Sequence, residues 1–534
     1  MARISFSVFL FLLIGYSAVA QRIDVQHYRF EIALNDQNDT IAGKATISIK
    51  FPEATDHFYL DFAAYKNGEG MIVKKIFTGN QDDSTLKFST EVRQNRTLDA
   101  SRIKIALKRK VVKDETLLVT VLYMGKPKDG LIISKNMHGD RTFFADNWPT
   151  RAHYWIPCND RPDDKASVEF FVTAPSHYKV ISNGIKLEEK NITDQMKLTH
   201  WKEVQPLPTK VMVIGVARFE VKEYSSNSTG IPVTAWVYPQ DMENGFKDYS
   251  PAPEIVQFFS SYIAPFPFQK LANVQSTTIF GGMENAGAIF YAETSVTGNK
   301  NIEPLLAHEI VHQWFGDMAS EKSFSHLWLS EGFATYLTNI YLESKYGQKD
   351  LSNRMEEDRQ EIISFVKEVK QPVVDSISNY MSLLNANSYQ KGGWVLHMLR
   401  KEVGDEVFKN ILQSYYRQYK GKNADTHDFI TVAEKESGKN LKWFFQQWLY
   451  RPGIPRLIIR KQTVKEGIRL TVMQVQDELY QVKLPVSIET DTTKAKKTSV
   501  SISGRVHSVL ISKDKKAKVF IDPDVELLFE EVKK

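Results

Sequence analysis

From Gln21 to about Gln205 apolar and polar residues alternate along the chain. Ile41, Gly43, Ala45, Ile47, Ile49 and Phe51 fall on one side of such a run, and the alternation returns near 101–107, 116–123 and 167–173. A period of two puts every second side chain on one face of a strand. Asn67-Gly68 and Asp129-Gly130 supply turns between the runs. The pattern predicts an all-β unit over 21–205, a sandwich or saddle.

The character changes at Pro206. Strand-like Val211–Phe219 and Val233–Val237 give way to a helical segment, Pro253 to Tyr262, and then to a strand around Val274–Phe280. The period shifts to 3.6 in two later stretches. One starts at Pro304, has Leu305, Leu306, Ile310 and Val311 on its apolar side, and ends at Gly316. The other runs from Leu327 to Tyr346 with Gly347 as its cap. Further helices are expected as far as Arg451. The breakers Pro452-Gly453-Ile454-Pro455 open a last unit of six strand-like runs between Leu457 and Asp522. The expected architecture is multidomain α+β: a β unit (21–205), an α/β catalytic unit (206–451) and a small C-terminal β-sandwich (452–534).

The first twenty residues stand outside this plan. Arg3 precedes an apolar run, Phe6 to Ile14 broken only by Ser7, and Ala18-Val19-Ala20 offers small residues for cleavage before Gln21. The run is too short to span a bilayer comfortably. A signal peptide over 1–20 is the reading, with export to a periplasmic or extracellular location; a signal anchor is the alternative. No later run is long and apolar enough to be a transmembrane segment. The formal charge of +5 falls to +4 without Arg3, too small an excess to indicate nucleic acid. The clusters Lys494-Ala495-Lys496-Lys497 and Lys513–Lys518 sit between strands and read as solvated turns. A single cysteine, Cys158, excludes an intrachain disulfide. Glycosylation sequons begin at Asn38, Asn95, Asn191 and Asn227.

The chemistry is concentrated in the two 3.6-period stretches. His308 and His312 stand four apart, so a helix carries both imidazoles on one face, with Glu309 beside them; Glu331 follows after eighteen residues. Two imidazoles and one carboxylate, with a fourth position left for water, is the donor set of a catalytic zinc site. A second motif, Gly281-Gly282-Met283-Glu284-Asn285, follows a predicted strand. Its glycines let backbone approach a ligand closely and Glu284 adds a carboxylate. Alone that motif is weak.

Together the two motifs resemble the aminopeptidase N and leukotriene hydrolase family of gluzincin zinc exopeptidases, with a thermolysin-like catalytic unit. Trp328-Leu329-Ser330-Glu331-Gly332-Phe333-Ala334 resembles the family's segment around its third ligand, and Tyr389-Gln390-Lys391-Gly392-Gly393 its catalytic tyrosine motif. The likeness runs from about Tyr28 to the end, but the large helical C-terminal domain of many members has no counterpart. The resemblance implies one Zn²⁺ per chain on His308, His312 and Glu331, with Glu309 as general base and Tyr389 as donor to the carbonyl oxygen. Water activated at the metal attacks the first peptide bond of substrates with a free N-terminus. Gly281, Gly282, Met283, Glu284 and Asn285 bind the substrate, Glu284 at its α-ammonium.

The family adds a second polar group from the β unit to hold that ammonium. Counting back from Pro157-Cys158 without gaps puts Trp148 there, which cannot serve. A gap after the arginine lets Asp146 and Arg151 reproduce an acid-x4-Arg spacing, and makes Asp146 the candidate. Cys158 matches the family's Pro-Cys and is expected to be a buried small residue. Two other functions fit parts of the pattern. A related epoxide hydrolase would need an apolar tunnel closed by the missing helical domain. A non-catalytic peptide-binding scaffold would be expected to have lost Glu309, a ligand or Tyr389, and all are present.

Overall fold

The computed structural model describes residues 23–79, 85–92, 101–224, 229–490 and 493–533. The expected leader at 1–20 and the sequons at Asn95 and Asn227 lie outside them. Asn38 and Asn191 are exposed.

Ile41, Ala45, Ile47, Ile49 and Phe51 are all buried, so the period-two reading of that run holds. Strand Ile41–Lys50 lies between Asp24–Ala33 and Thr116–Lys126 in a seven-stranded sheet. The sheet continues through Gly70–Thr78 on one side, and through Ala166–Pro175, Met196–Leu207 and Ile185–Asn191 on the other. Asp24–Ala33 pairs parallel with Ala166–Pro175 and antiparallel with Ile41–Lys50. A three-stranded sheet (Thr55–Asp61, Ser101–Val111, Lys87–Val92) completes this face of the unit.

The break expected at Pro206 is crossed by β pairing. Ile214–Ala217 lies between Lys179–Ser182 and Arg141–Ala145 in a four-stranded sheet. Pro206 sits near the end of strand Met196–Leu207, after which the chain returns for one more strand of the first unit. The breaker residues there mark the end of a strand.

The middle of the chain is a five-stranded sheet with helices packed against it. Its order is Glu220–Tyr224, Val233–Val237, Leu271–Ser276, Ala288–Ala292, then the short edge strand Gly282–Met283. The helices are α1 (Met242–Asp248), α2 (Ala252–Tyr262), α3 (Glu303–Val311), α4 (Trp328–Tyr346), α5 (Gln348–Glu368), α6 (Gly392–Val403), α7 (Asp405–Tyr419), α8 (Thr426–Ser437) and α9 (Lys442–Leu449). Helix α3 ends sooner than the expected Gly316. The bonds Gln313 N to Ile310 O and Trp314 N to Val311 O tighten its last turn, and Gly316, at φ +129°, redirects the chain. No helix among the described residues is long and apolar enough to cross a membrane.

Two β-sheets follow Pro455, one of four strands and one of three, and no large helical domain follows them among the described residues. The sandwich is fastened to the helices by polar contacts. Arg359 of α5 pairs with Asp522 and donates to Leu527 O, and His397 Nε2 of α6 donates to Val525 O at 3.1 Å. Buried Lys391 donates to Gly453 O at 2.9 Å. Burial brings the Lys391 ammonium down to about 7.

Helices α4 and α6 meet glycine on glycine. A Cβ on Gly332 would stand 2.8 Å from the backbone of Gly392, and one on Gly392 would stand 3.0 Å from Gly332 Cα. Only two side chains as small as hydrogen allow this approach, which brings Glu331 on α4 beside the π-helical turn Asn387–Lys391 that carries Tyr389. Gly332→Ala should therefore force the backbones apart and cost about 1–3 kcal/mol in urea unfolding. Gly504→Ala, with no neighbour closer than 4.0 Å, should change stability by less than about 0.5 kcal/mol. Equal stability of the two variants would contradict the close-contact account.

Candidate metal centre

Helix α3 presents His308 one turn before His312, and the first turns of α4 bring Glu331 opposite. His308 Nε2 and His312 Nε2 are 3.2 Å apart, and Glu331 Oε2 lies 3.3 Å from the first and 3.2 Å from the second. Zinc–nitrogen and zinc–oxygen bonds of about 2.0–2.1 Å in a tetrahedron require donor separations of about 3.3–3.4 Å. The three donors therefore fit three corners of a zinc tetrahedron. The tautomer fits as well. His312 Nδ1–H is shared between the Phe315 carbonyl and the Ser330 hydroxyl oxygen, both at 3.1 Å, which leaves the Nε2 lone pair facing the centre. Gly316 makes room for this: a Cβ there would stand 2.5 Å from Ser330 Oγ.

Charge points the same way. Burial alone would lower the His312 pKa, yet Glu331, Glu284 and Glu309 outweigh it and push it up to about 10. The site favours a positive charge at this nitrogen, whether proton or metal ion. Glu331 is held well below the carboxylate range by the two imidazoles, against its own burial.

A cleft of about 610 Å³ opens over these residues. Gly281, Gly282, Met283, Glu284, Glu309 and Tyr389 line it with the three donors, so the structure brings together most of the residues singled out from the sequence. Glu309 is buried, with its carboxylate against Gly282, where a Cβ would meet Oε1 at 2.4 Å. Burial raises its proton affinity well above that of an ordinary carboxylate, and Glu284 and Glu331 add to the shift. The Tyr389 ring stacks on His308 with centroids 5.9 Å apart, and burial keeps its hydroxyl protonated.

Glu284 is 5% exposed, and its Oε1 has no hydrogen-bond partner. Buried carboxylate oxygens are normally satisfied, so this one is an acceptor open to a ligand. Burial raises its pKa, partly offset by His312 and Lys210. Its backbone is pinned from two sides. Gln313, next to the second histidine, donates to Glu284 O at 2.8 Å and accepts from Gly287 N at 2.7 Å. From the β unit, Asn183 donates to Ala286 O at 2.8 Å, and from within the catalytic unit Lys270 donates to Gly287 O at 2.7 Å. Gly287 has φ +67°, a left-handed conformation that favours glycine. Asn285 is fully buried and does not line the cleft.

Asp146 is not brought to the cleft. It is fully buried, pairs with Arg151, and accepts bonds from Thr278 Oγ1 at 2.9 Å and Ile279 N at 3.2 Å. Its oxygens are used in fixing the segment that leads into Gly281. Trp148, two residues on, lines the cleft beside Phe280. Cys158 is buried, as expected.

Sequence reasoning missed Gln313 and Ser330, although each adjoins a ligand. It also missed the buried pair Lys210–Glu321, 2.6 Å apart, and Lys165, which donates to Asp317 O and Met318 O at 3.0 and 2.8 Å. These lysines come from the β unit, and no local signal links them to the loop after α3.

The sequence matches the Peptidase M1 N-terminal domain over residues 24–211 and the Peptidase family M1 domain over 249–448. It is 29% identical over 335 residues to glutamyl aminopeptidase of Bos taurus, covering 59% of this chain and 34% of that protein. It is 25% identical over 388 residues to probable aminopeptidase 2 of Sulfurisphaera tokodaii, covering 68% and 49%. The chain thus spans half the length of these relatives or less. The fold is similar to that of an M1 zinc metallopeptidase mutant from Deinococcus radiodurans bound to a Tyr-Ser-Ala substrate. The TM-score is 0.68 at 20% identity, over 81% of this chain and 95% of that one. Both the β unit and the unit carrying the metal donors match one family in sequence, and the chain belongs to peptidase family M1, whose membership implies zinc.

Proposed function

We propose that this protein is a zinc aminopeptidase holding one Zn²⁺ per chain on His308, His312 and Glu331. The observation that carries the reading is the unpartnered, buried Oε1 of Glu284 in the same cleft as the three donors. The donors alone suit cleavage anywhere along a chain. A buried acceptor beside them suits a substrate that brings its own cation, the free α-ammonium.

When bound, the zinc ion supplies Lewis acidity, polarising the scissile carbonyl and acidifying a water. Glu284 accepts hydrogen bonds from the α-ammonium and so sets the first peptide bond over the centre. Glu309, its proton affinity raised by burial, takes the proton of the attacking water and delivers it to the leaving amine. The Tyr389 hydroxyl, kept protonated, donates to the carbonyl oxygen as that atom gains negative charge. Met283 and Trp148 give the cleft wall its apolar surface, and Gly281 and Gly282 keep side chains out of the substrate's path.

Export completes the proposal, supported by the leader-like Met1–Ala20. The mass of the native protein should then correspond to a chain starting at Gln21; an intact Met1–Ala20 would contradict export.

Metal content and turnover on aminoacyl-arylamides test the reading together. Chelation should abolish hydrolysis and zinc should restore it at one ion per chain, while His308→Ala, His312→Ala and Glu331→Ala should lose the ion. Glu309→Gln should keep zinc and lose about 10²–10⁴ in kcat. Full hydrolysis by metal-free protein, or wild-type turnover in Glu309→Gln, would overturn the assignment.

A further inference from the structure

Beyond the metal donors the cleft has a second arm. Thr335, Thr338 and Asn339 line it, four, seven and eight residues after Glu331 on α4, and hence on the same face of that helix. Eight residues advance about 12 Å along a helix. The arm therefore runs away from the metal donors for roughly the reach of one residue plus an extended lysine side chain, and α5 contributes Asp358 beside Asn339.

Asp358 is only partly exposed, and among the described residues it forms no ion pair. Its one hydrogen bond is a long contact from Asn339 Nδ2 to Oδ2 at 3.4 Å. The arginines nearest in sequence are already engaged, Arg354 with Asp350 at 2.7 Å, and Arg359 with Asp522 and Glu356. Thr338, 7% exposed, buries an Oγ1 with no partner. Burial pushes the Asp358 carboxyl up to about 7, Glu361 and Glu357 add to the shift, and Asn339 and Arg354 oppose it. A half-buried carboxylate without an ion pair and a buried unpartnered hydroxyl, both lining one open arm, describe a subsite for a cation.

The direction of the substrate says which cation. If Glu284 holds the amine end, as proposed above, the chain beyond the scissile bond leaves through the other arm. We propose that Asp358, supported by Asn339 and Thr338, selects a lysine or arginine side chain at the second residue of the substrate. Glu284 and Asp358 then read the two ends of one dipeptide unit: the first its α-ammonium, the second the cationic tip of the following side chain. This inference rests on the aminopeptidase reading for its direction, but not for the existence of the subsite.

The test uses three C-terminally amidated dipeptides with a common first residue, Ala-Lys-amide, Ala-norleucine-amide and Ala-Glu-amide. Amidation removes the carboxylate that would otherwise compete as the recognised group. With zinc-loaded enzyme, kcat/KM should favour the lysine peptide over the norleucine peptide by about 10–100-fold, and the glutamate peptide should be poorest. The difference should lie in KM, because the contact is remote from the reacting atoms and equal in ground and transition states. Asp358→Asn should bring the lysine-to-norleucine ratio to within about 2-fold, and Asp358→Lys should turn the preference to glutamate. Calorimetric binding of the same peptides to zinc-loaded Glu309→Gln protein, alone and with Asp358→Asn, reads the subsite without turnover. If none of the peptides is cleaved but the lysine peptide still binds more tightly and loses that advantage with Asp358→Asn, the aminopeptidase reading fails and the subsite stands. Equal affinity for the lysine and norleucine peptides, or a preference untouched by Asp358→Asn, overturns the proposal.

Discussion

Three carboxylates, Glu284, Glu309 and Glu331, are buried around two imidazoles in one cleft. Each raises the cost of keeping the others charged, and among the described residues none of the three forms an ion pair with a lysine or arginine. The arrangement persists only where the fold over-determines every position and a cation joins it. The donor separations fit zinc, and membership of family M1 implies that metal. The surrounding features keep five polar groups where they would otherwise relax apart. Gln313 ties the strand-edge motif to the end of α3, Ser330 and Phe315 hold the His312 ring, and the Gly332–Gly392 contact brings α6 and the tyrosine turn against α4.

The two outer units contribute to the same constraint. From the β unit, Lys210 and Lys165 reach the loop after α3, while Asn183 bonds to the Glu284–Gly287 segment. From the other side Lys391, two residues after Tyr389, is bonded to the carbonyl of Gly453 at the head of the sandwich. The tyrosine turn is thus held between α4 and the last unit. A cleft with this much buried charge needs walls that do not yield, and here the edge of the five-stranded sheet, helices α3, α4 and α5 and the tyrosine turn supply those walls.

Local patterns in the sequence read well, and long-range ones did not. His308, Glu309 and His312 are legible because helical spacing puts the two imidazoles on one face, and Glu331 because the motif fixes its distance of eighteen residues along the chain. The strands were legible because burial follows a period of two. Asp146 was chosen by moving an alignment gap to preserve an acid-to-arginine spacing, and the structure spends that spacing on an internal ion pair. A carboxylate that does line the cleft, Asp358, sits in an ordinary amphipathic helix. Only the placement of α5 against α4 brings it to the arm. The β pairing across Pro206 is invisible for a similar reason: a strand that returns to an earlier sheet leaves no mark in local composition.

The proposed aminopeptidase activity depends most on Glu284 reading a free amine. The direct measurement compares one peptide in free and N-acetylated forms on wild-type enzyme and on Glu284→Ala. Wild type should cleave the free form and refuse the acetylated one, and Glu284→Ala should lose about 2–4 kcal/mol of kcat/KM on the free form, the loss expected when a largely desolvated charge has no partner. Equal cleavage of both forms by wild type, or internal cutting of long blocked peptides, would show that the metal centre does not act on the amino-terminal bond selected through Glu284.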